Sequence, residues 1–159
     1  GVDSDFGRAF AKSQLAAGQN LPTGGTVFVS VRDGDKDRVC AIGRQLHGLG
    51  FDFLATRGTS RHLEEAGIPN RTIKKIAEGR PNIIDYIKNG QVQLVINTPS
   101  GKESAGGSIM IRQAVIRYGL PYATTLASAC AMAAGIEAMK KRKLGVASLQ
   151  EFHQAHEAY

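Results

Sequence analysis

The chain has 159 residues, 42% of them hydrophobic and 21% charged, a length and balance that fit one compact domain and contain no apolar run near the roughly 20 residues needed to cross a bilayer. A net charge of +6 admits an anionic partner, but the basic residues are spread along the chain, tryptophan is absent and aromatics are few, so nucleic acid is not the expected partner. The two cysteines, Cys40 and Cys130, are too few for a disulfide scaffold and are expected as buried free thiols in a reducing cytoplasm.

The opening at Gly1, without methionine and without the pattern of a secretory signal, reads as a fragment or processed piece. Residues 4–16 predict a short helix with Phe6, Ala9 and Phe10 on one side. The turn-rich stretch 17–25 follows as a linker, so the domain proper is expected over 26–159, with 1–25 as a helix and linker from a preceding region. Thr26 to Val31 predicts a strand, and Lys36 to Leu49 a helix with Val39, Ile42, Leu46 and Leu49 at helical spacing, stopped at Gly50. Phe51 to Ala55 reads as a second strand, leading to a helix around Ser60 to Ala66 and a stop at Gly67 and Pro69. A short helix is expected over Ile83 to Lys88, ended by Asn89 and Gly90. Gln93 to Ile96 and Pro121 to Thr124 read as short strands, Ile109 to Arg117 and the alanine-rich Leu126 to Met139 as helices, and Ser148 to His156 as a last helix. The basic run Lys140-Lys141-Arg142-Lys143 fits a solvated helix end, where cations complement the dipole. Strands alternating with helices, without hairpin spacing, predict an α/β fold: a three-layer, Rossmann-like parallel sheet flanked by helices.

Three loops that follow predicted strands combine hydroxyl and basic groups: Ser30-Val31-Arg32-Asp33-Gly34-Asp35-Lys36, Ala55-Thr56-Arg57-Gly58-Thr59-Ser60 and Asn97-Thr98-Pro99-Ser100-Gly101-Lys102. In a parallel sheet such loops meet on one rim, and together they predict a phosphate held by hydroxyls, lysine and backbone amides at helix starts. Lys36 opposes its own helix dipole by roughly 0.3 to 1 kcal/mol unless an anion lies nearby. Singly, each residue also has a plainer role: Lys36 as a solvated lysine, Thr59 as a helix cap, Asn97 and Thr98 as turn formers. A Walker A loop is ruled out because Gly101-Lys102 precedes Glu103, and no Gly-x-Gly-x-x-Gly follows a strand. No catalytic or metal-binding set is expected: Asp and His are missing between Asn97 and Leu126, and His47, His62, His153 and His156 read as surface or structural residues.

The three loops, together with Glu78-Gly79-Arg80-Pro81-Asn82-Ile83, Ile87-Lys88-Asn89-Gly90 and Tyr122-Ala123-Thr124-Thr125-Leu126, closely resemble the C-terminal allosteric domain of the carbamoyl phosphate synthetase large subunit. The resemblance runs over essentially the whole chain, and residues 1–15 resemble the tail of the preceding synthetase region. It implies the methylglyoxal-synthase-like fold and a regulatory, non-catalytic role within a cytoplasmic, ATP-dependent ligase. That parent uses ATP and Mg²⁺ elsewhere, takes ammonia from a glutaminase small subunit, and serves pyrimidine and arginine biosynthesis. In enterobacterial members UMP inhibits and IMP activates by binding this domain, and ornithine activates at its border with the synthetase region. Carried onto this sequence, Ser30, Lys36, Thr56, Thr59, Lys75, Asn97 and Thr98 would surround the nucleotide, with its phosphate among Lys36, Thr56, Thr59 and Lys75. Tyr122 and Thr124 would contribute to the ornithine site. Pro99 stands where that group has a nucleotide-contacting threonine, and Gly107 where it has an aspartate. Two alternatives share the fold: a methylglyoxal synthase, a lyase on dihydroxyacetone phosphate with aspartates and a histidine at the rim, and a purine-pathway cyclohydrolase domain. This chain runs Ser104-Ala105-Gly106-Gly107 where the lyase has an Asp-rich stretch, and it lacks the motifs of the cyclohydrolase.

Overall fold

A computed structural model describes residues 1–99, 105–146 and 148–156, with the side chains of 105 and 154–156 outside that description. Its strands are β1 (Gly25–Ser30), β2 (Phe51–Thr56), β3 (Arg71–Ile73), β4 (Leu94–Asn97) and β5 (Tyr122–Ala123). Its helices are α1 (Phe6–Ala16), α2 (Lys36–Gly48), α3 (Arg57–Glu65), α4 (Ile83–Lys88), α5 (Ala105–Tyr118), α6 (Leu126–Lys141) and α7 (Leu149–His156). All strand pairs are parallel, in the order β3-β2-β1-β4-β5.

Side chains alternate across a strand, so each strand feeds two cores. Val27, Val29, Phe51, Phe53, Leu94 and Ile96 face one side, where they pack with Val39, Ile42 and Leu46 of α2, Leu63 of α3, and Met132 and Ile136 of α6. Phe28, Leu54 and Val95 face the other, against Ile83 and Ile87 of α4 and Ile111, Ala114 and Val115 of α5. Coverage on both faces explains why the central strands read as nearly continuous apolar runs rather than alternating ones. The expected three-layer α/β architecture is present. Gly50 follows α2 with φ +87°, a left-handed conformation that glycine adopts without a Cβ penalty and that turns the chain directly into β2.

Several local expectations change. Helix α1 buries Gly7 and Ala11 rather than Phe6, which is 67% exposed, because α1 lies so close to α6 that a Cβ at Gly7 would come 2.5 Å from the Ala134 carbonyl oxygen. Cys40 is buried as expected but Cys130 is exposed, since it points away from the α6 stripe formed by Leu126, Ala129, Met132, Ala133 and Ile136. Helix α3 starts earlier than its apolar pattern indicates, directly after Thr56, and α5 extends to Ala105 and Tyr118. Strand β3 had no counterpart in the sequence pattern: it is three residues long at the sheet edge, and only Ile73 is buried. The basic run ends α6, where Lys140 Nζ donates to the carbonyls of Thr23 and Leu49 and Lys141 pairs with Glu137.

Candidate functional site

The register aligns the carboxyl ends of the strands. Ser30 of β1 lies opposite Asn97 of β4, and Val29 opposite Ala55, which brings Ser30 and Thr56 side by side at the end of the next step. Thr56 in turn pairs with Ile73 of β3, so Lys74 and Lys75 leave the sheet on the same rim. Strand order reverses at β1, the point where the loops of an open parallel sheet diverge and leave a crevice. A cleft of about 710 Å³ occupies that crevice, a size suited to a small organic ligand.

All seven residues expected around the nucleotide line this cleft. Lys36 is the first residue of α2; its side chain is only 17% exposed and its ammonium lies 2.7 Å from Asp33 Oδ1. The ammonium also overlies the start of α3, since a Cβ at Gly58 would come 2.9 Å from Lys36 Nζ. Thr56 occupies the N-cap of α3 without a side-chain capping bond; its hydroxyl instead donates to Ser30 Oγ at 3.2 Å. Thr59 does not cap the helix either. Its buried Oγ1 accepts the Val31 N–H at 3.2 Å, which leaves the hydroxyl proton able to donate elsewhere.

Thr98 is tied to the loop that follows β1: its Oγ1 accepts the Arg32 N–H at 3.1 Å. The neighbouring Asp35 is 4% exposed, and burial would raise its carboxyl, yet hydrogen bonds from Arg32 and Thr98 outweigh burial and hold its pKa below the usual range. Asn97 is buried and its Nδ2 donates to the Tyr122 hydroxyl at 3.2 Å, with Ser108 Oγ at 3.5 Å. Lys75 is exposed at the rim, and its backbone N–H donates to Glu78 Oε2 at 2.9 Å, which fixes the turn that carries it. Tyr122 and Thr124 are half-buried and lie outside the lining of the cleft. Pro99 and Gly107 do line it, whereas Ser100, Gly101, Lys102 and Ser104 fall outside the described residues.

Other parts of the cleft were not singled out by the sequence. Lys74 adds a third lysine, Asp33 is the one carboxylate among the described lining residues, and Phe28, Ile76, Ile83, Met110 and Ile111 make an apolar wall. Isoleucine and phenylalanine in an α/β chain read first as core, so no local signal separates these wall positions from the rest. One end of the cleft is thus cationic and rich in hydroxyls, with the uncapped first turn of α3 beside it, and another side is apolar. A helix N-terminus and an ammonium in the same place favour an anion, because the orphan N–H groups and the lysine charge add at that point.

The MGS-like domain family model matches residues 38–124. A carbamoyl phosphate synthase large chain from Archaeoglobus fulgidus is 52% identical over 155 residues, which is 97% of this chain and 14% of that protein. The C-terminal section of the carbamoyl phosphate synthase large chain of Methanopyrus kandleri is 45% identical over 155 residues, 97% of this chain and 29% of that section. The chain therefore spans less than a third of the length of either relative. Among solved structures, a methylglyoxal synthase from Elizabethkingia anophelis superposes with a TM-score of 0.57 at 20% identity, covering 71% of this chain and 79% of the other, a likeness of fold. With a family model that covers more than half of its residues and a five-stranded parallel sheet of the corresponding fold, this chain belongs to the MGS-like domain family.

Proposed function

We propose that this chain is the effector-binding domain of a carbamoyl phosphate synthase large chain, taking a nucleoside monophosphate in the cleft at the end of β1. The observation that carries the reading is the placing of Lys36: a largely buried ammonium held over the uncapped start of α3 and surrounded by the hydroxyls of Ser30, Thr56 and Thr59. A phosphate fits among Lys36, Thr56, Thr59 and Lys75, with Asn97 and Thr98 on the far side and the apolar wall available to a base. The resemblance to carbamoyl phosphate synthases supports UMP as inhibitor and IMP as activator, and ornithine at a site to which Tyr122 and Thr124 contribute. ATP, Mg²⁺ and the glutaminase subunit would serve the rest of the cytoplasmic parent enzyme in supplying pyrimidine and arginine synthesis.

Such a domain acts at a distance only if its ligand binds two conformations of the parent with unequal affinity. Pro99 offers no backbone donor and no hydroxyl to the cleft, and Gly107 offers no side chain. One lost neutral hydrogen bond is worth roughly 0.5 to 1.5 kcal/mol, which lowers nucleotide affinity several-fold without removing the site.

Calorimetric titration of the chain with UMP, IMP and inorganic phosphate tests the reading. Nucleotide binding tighter than phosphate binding, and weakened about ten-fold or more by Lys75→Ala, is the expected result; absence of saturable binding refutes it. A lyase acting on dihydroxyacetone phosphate would use the same phosphate end, but the one carboxylate among the described lining residues, Asp33, is ion-paired to Lys36. Formation of methylglyoxal from that substrate by the chain would reverse the assignment.

A further inference from the structure

Resting on the reading of the cleft as a phosphate site, we infer that Asp33 is a built-in competitor for that site, its carboxylate holding Lys36 while the cleft is empty and giving way to the incoming phosphate. The pair is asymmetric: the Lys36 side chain is 17% exposed and fixed over α3, whereas Asp33 is 95% exposed and reaches in from solvent to 2.7 Å. The Asp33 carboxylate makes no other hydrogen bond or ion pair among the described residues, while its backbone carbonyl accepts the Lys36 N–H. Its carboxyl lies below the usual range chiefly through the Lys36 hydrogen bond and charge, with His62 and Lys75 adding to it. The ammonium groups of Lys36 and Lys75 thus both act on this one carboxylate, as they would on a bound phosphate.

The same loop carries a second carboxylate in the opposite condition. Asp35 is 4% exposed and fastened by Arg32, which itself donates its backbone N–H to Thr98. Asp35 therefore fixes the loop, and Asp33 can swing into water without moving the backbone that positions Lys36. Exposed ion pairs contribute little, so displacement is easy and lowers phosphate affinity by about two- to five-fold. Because the competition exists in the empty cleft, it acts equally on every ligand that places a phosphate on Lys36.

The test compares the chain with its Asp33→Asn and Asp33→Ala variants by calorimetric titration with inorganic phosphate and with UMP, thermal melts confirming the fold. Both variants are expected to bind both ligands about two- to five-fold more tightly, and by the same factor for each. Unchanged or weaker binding overturns the inference, as does tighter binding of UMP alone, which would place the effect of Asp33 at the nucleoside. If Lys75→Ala weakens binding while Asp33→Asn leaves it unchanged, only the competitor role falls. If neither the chain nor its Asp33 variants bind phosphate or UMP, the phosphate reading of the cleft falls and takes this role with it.

Discussion

The Lys36 ammonium occupies space that only glycine leaves open at position 58. An added methyl at Gly58 would meet the end of a flexible side chain at 2.9 Å, so the ammonium, not the backbone, must give way. Alanine is also the better helix former by about 1 kcal/mol in a helix interior. Gly58→Ala is therefore expected to leave folding stability unchanged or slightly higher while weakening phosphate binding several-fold, as read by a thermal melt beside a phosphate titration. Equal affinity in the variant would show that the ammonium can act from elsewhere. Lys36 was marked in the sequence for a reason that survives: a lysine in a helix first turn opposes the dipole unless an anion lies nearby. Lys75 was not, because nothing in its own surroundings distinguishes it, and only the family resemblance pointed there. Asp33 stood in a quoted loop without a role, since whether an acidic loop residue faces a lysine or water depends on geometry that spacing does not encode. Cys130 shows the same limit, because an alanine-rich helix has no apolar stripe sharp enough to tell its two sides apart.

At the scale of elements, the parts that were legible are those whose period matches a covered face. Helix α2 shows Val39, Ile42 and Leu46 at helical spacing because one side of it is sealed against the sheet, and β1 and β2 read as strands because both of their faces are buried. Strand β3 was missed because an edge strand with exposed Arg71 and Thr72 has neither pattern. It is nevertheless the element that delivers Lys74 and Lys75 to the rim. Helix α1 is held differently, by the close approach of Gly7 to α6 and by Asp3, whose carboxylate pairs with Arg8 at 2.8 Å and Lys12 at 2.9 Å. The Lys12 hydrogen bond is the main cause that lowers the Asp3 pKa from 3.8 to about 2. A folded-state pKa below the unfolded one contributes stability that is present above the unfolded value and lost as pH falls through the folded value. The N-terminal tie to α1 is accordingly expected to be intact above about pH 4 and to weaken between about pH 4 and pH 2. Carboxyl chemical shifts of Asp3 followed by NMR against pH check this; a midpoint at the ordinary aspartate value would show that the pairs do not hold in solution.

At the scale of the whole molecule, the question is how a ligand in the cleft biases anything outside it. Asn97 offers one physical link: it is buried at the end of β4, lines the cleft, and donates to the hydroxyl of Tyr122 on the edge strand β5, which lies outside the cleft. Under the proposed function Tyr122 contributes to an ornithine site, and this hydrogen bond would then join the two effector sites. Linkage then sets a condition that any mechanism must obey. The factor by which UMP changes ornithine affinity in the parent enzyme must equal the factor by which ornithine changes UMP affinity. Tyr122→Phe keeps the ring and removes the hydroxyl, so UMP affinity measured without ornithine is expected to change less than about three-fold, roughly the worth of a bond that does not touch the ligand. Both reciprocal coupling factors should fall together toward one, as measured by UMP titrations of the parent enzyme with and without saturating ornithine. A variant that retains the full coupling factor would mean that the bias leaves the cleft by another route, and the loops carrying Lys36 and Lys75 would be the next elements to test.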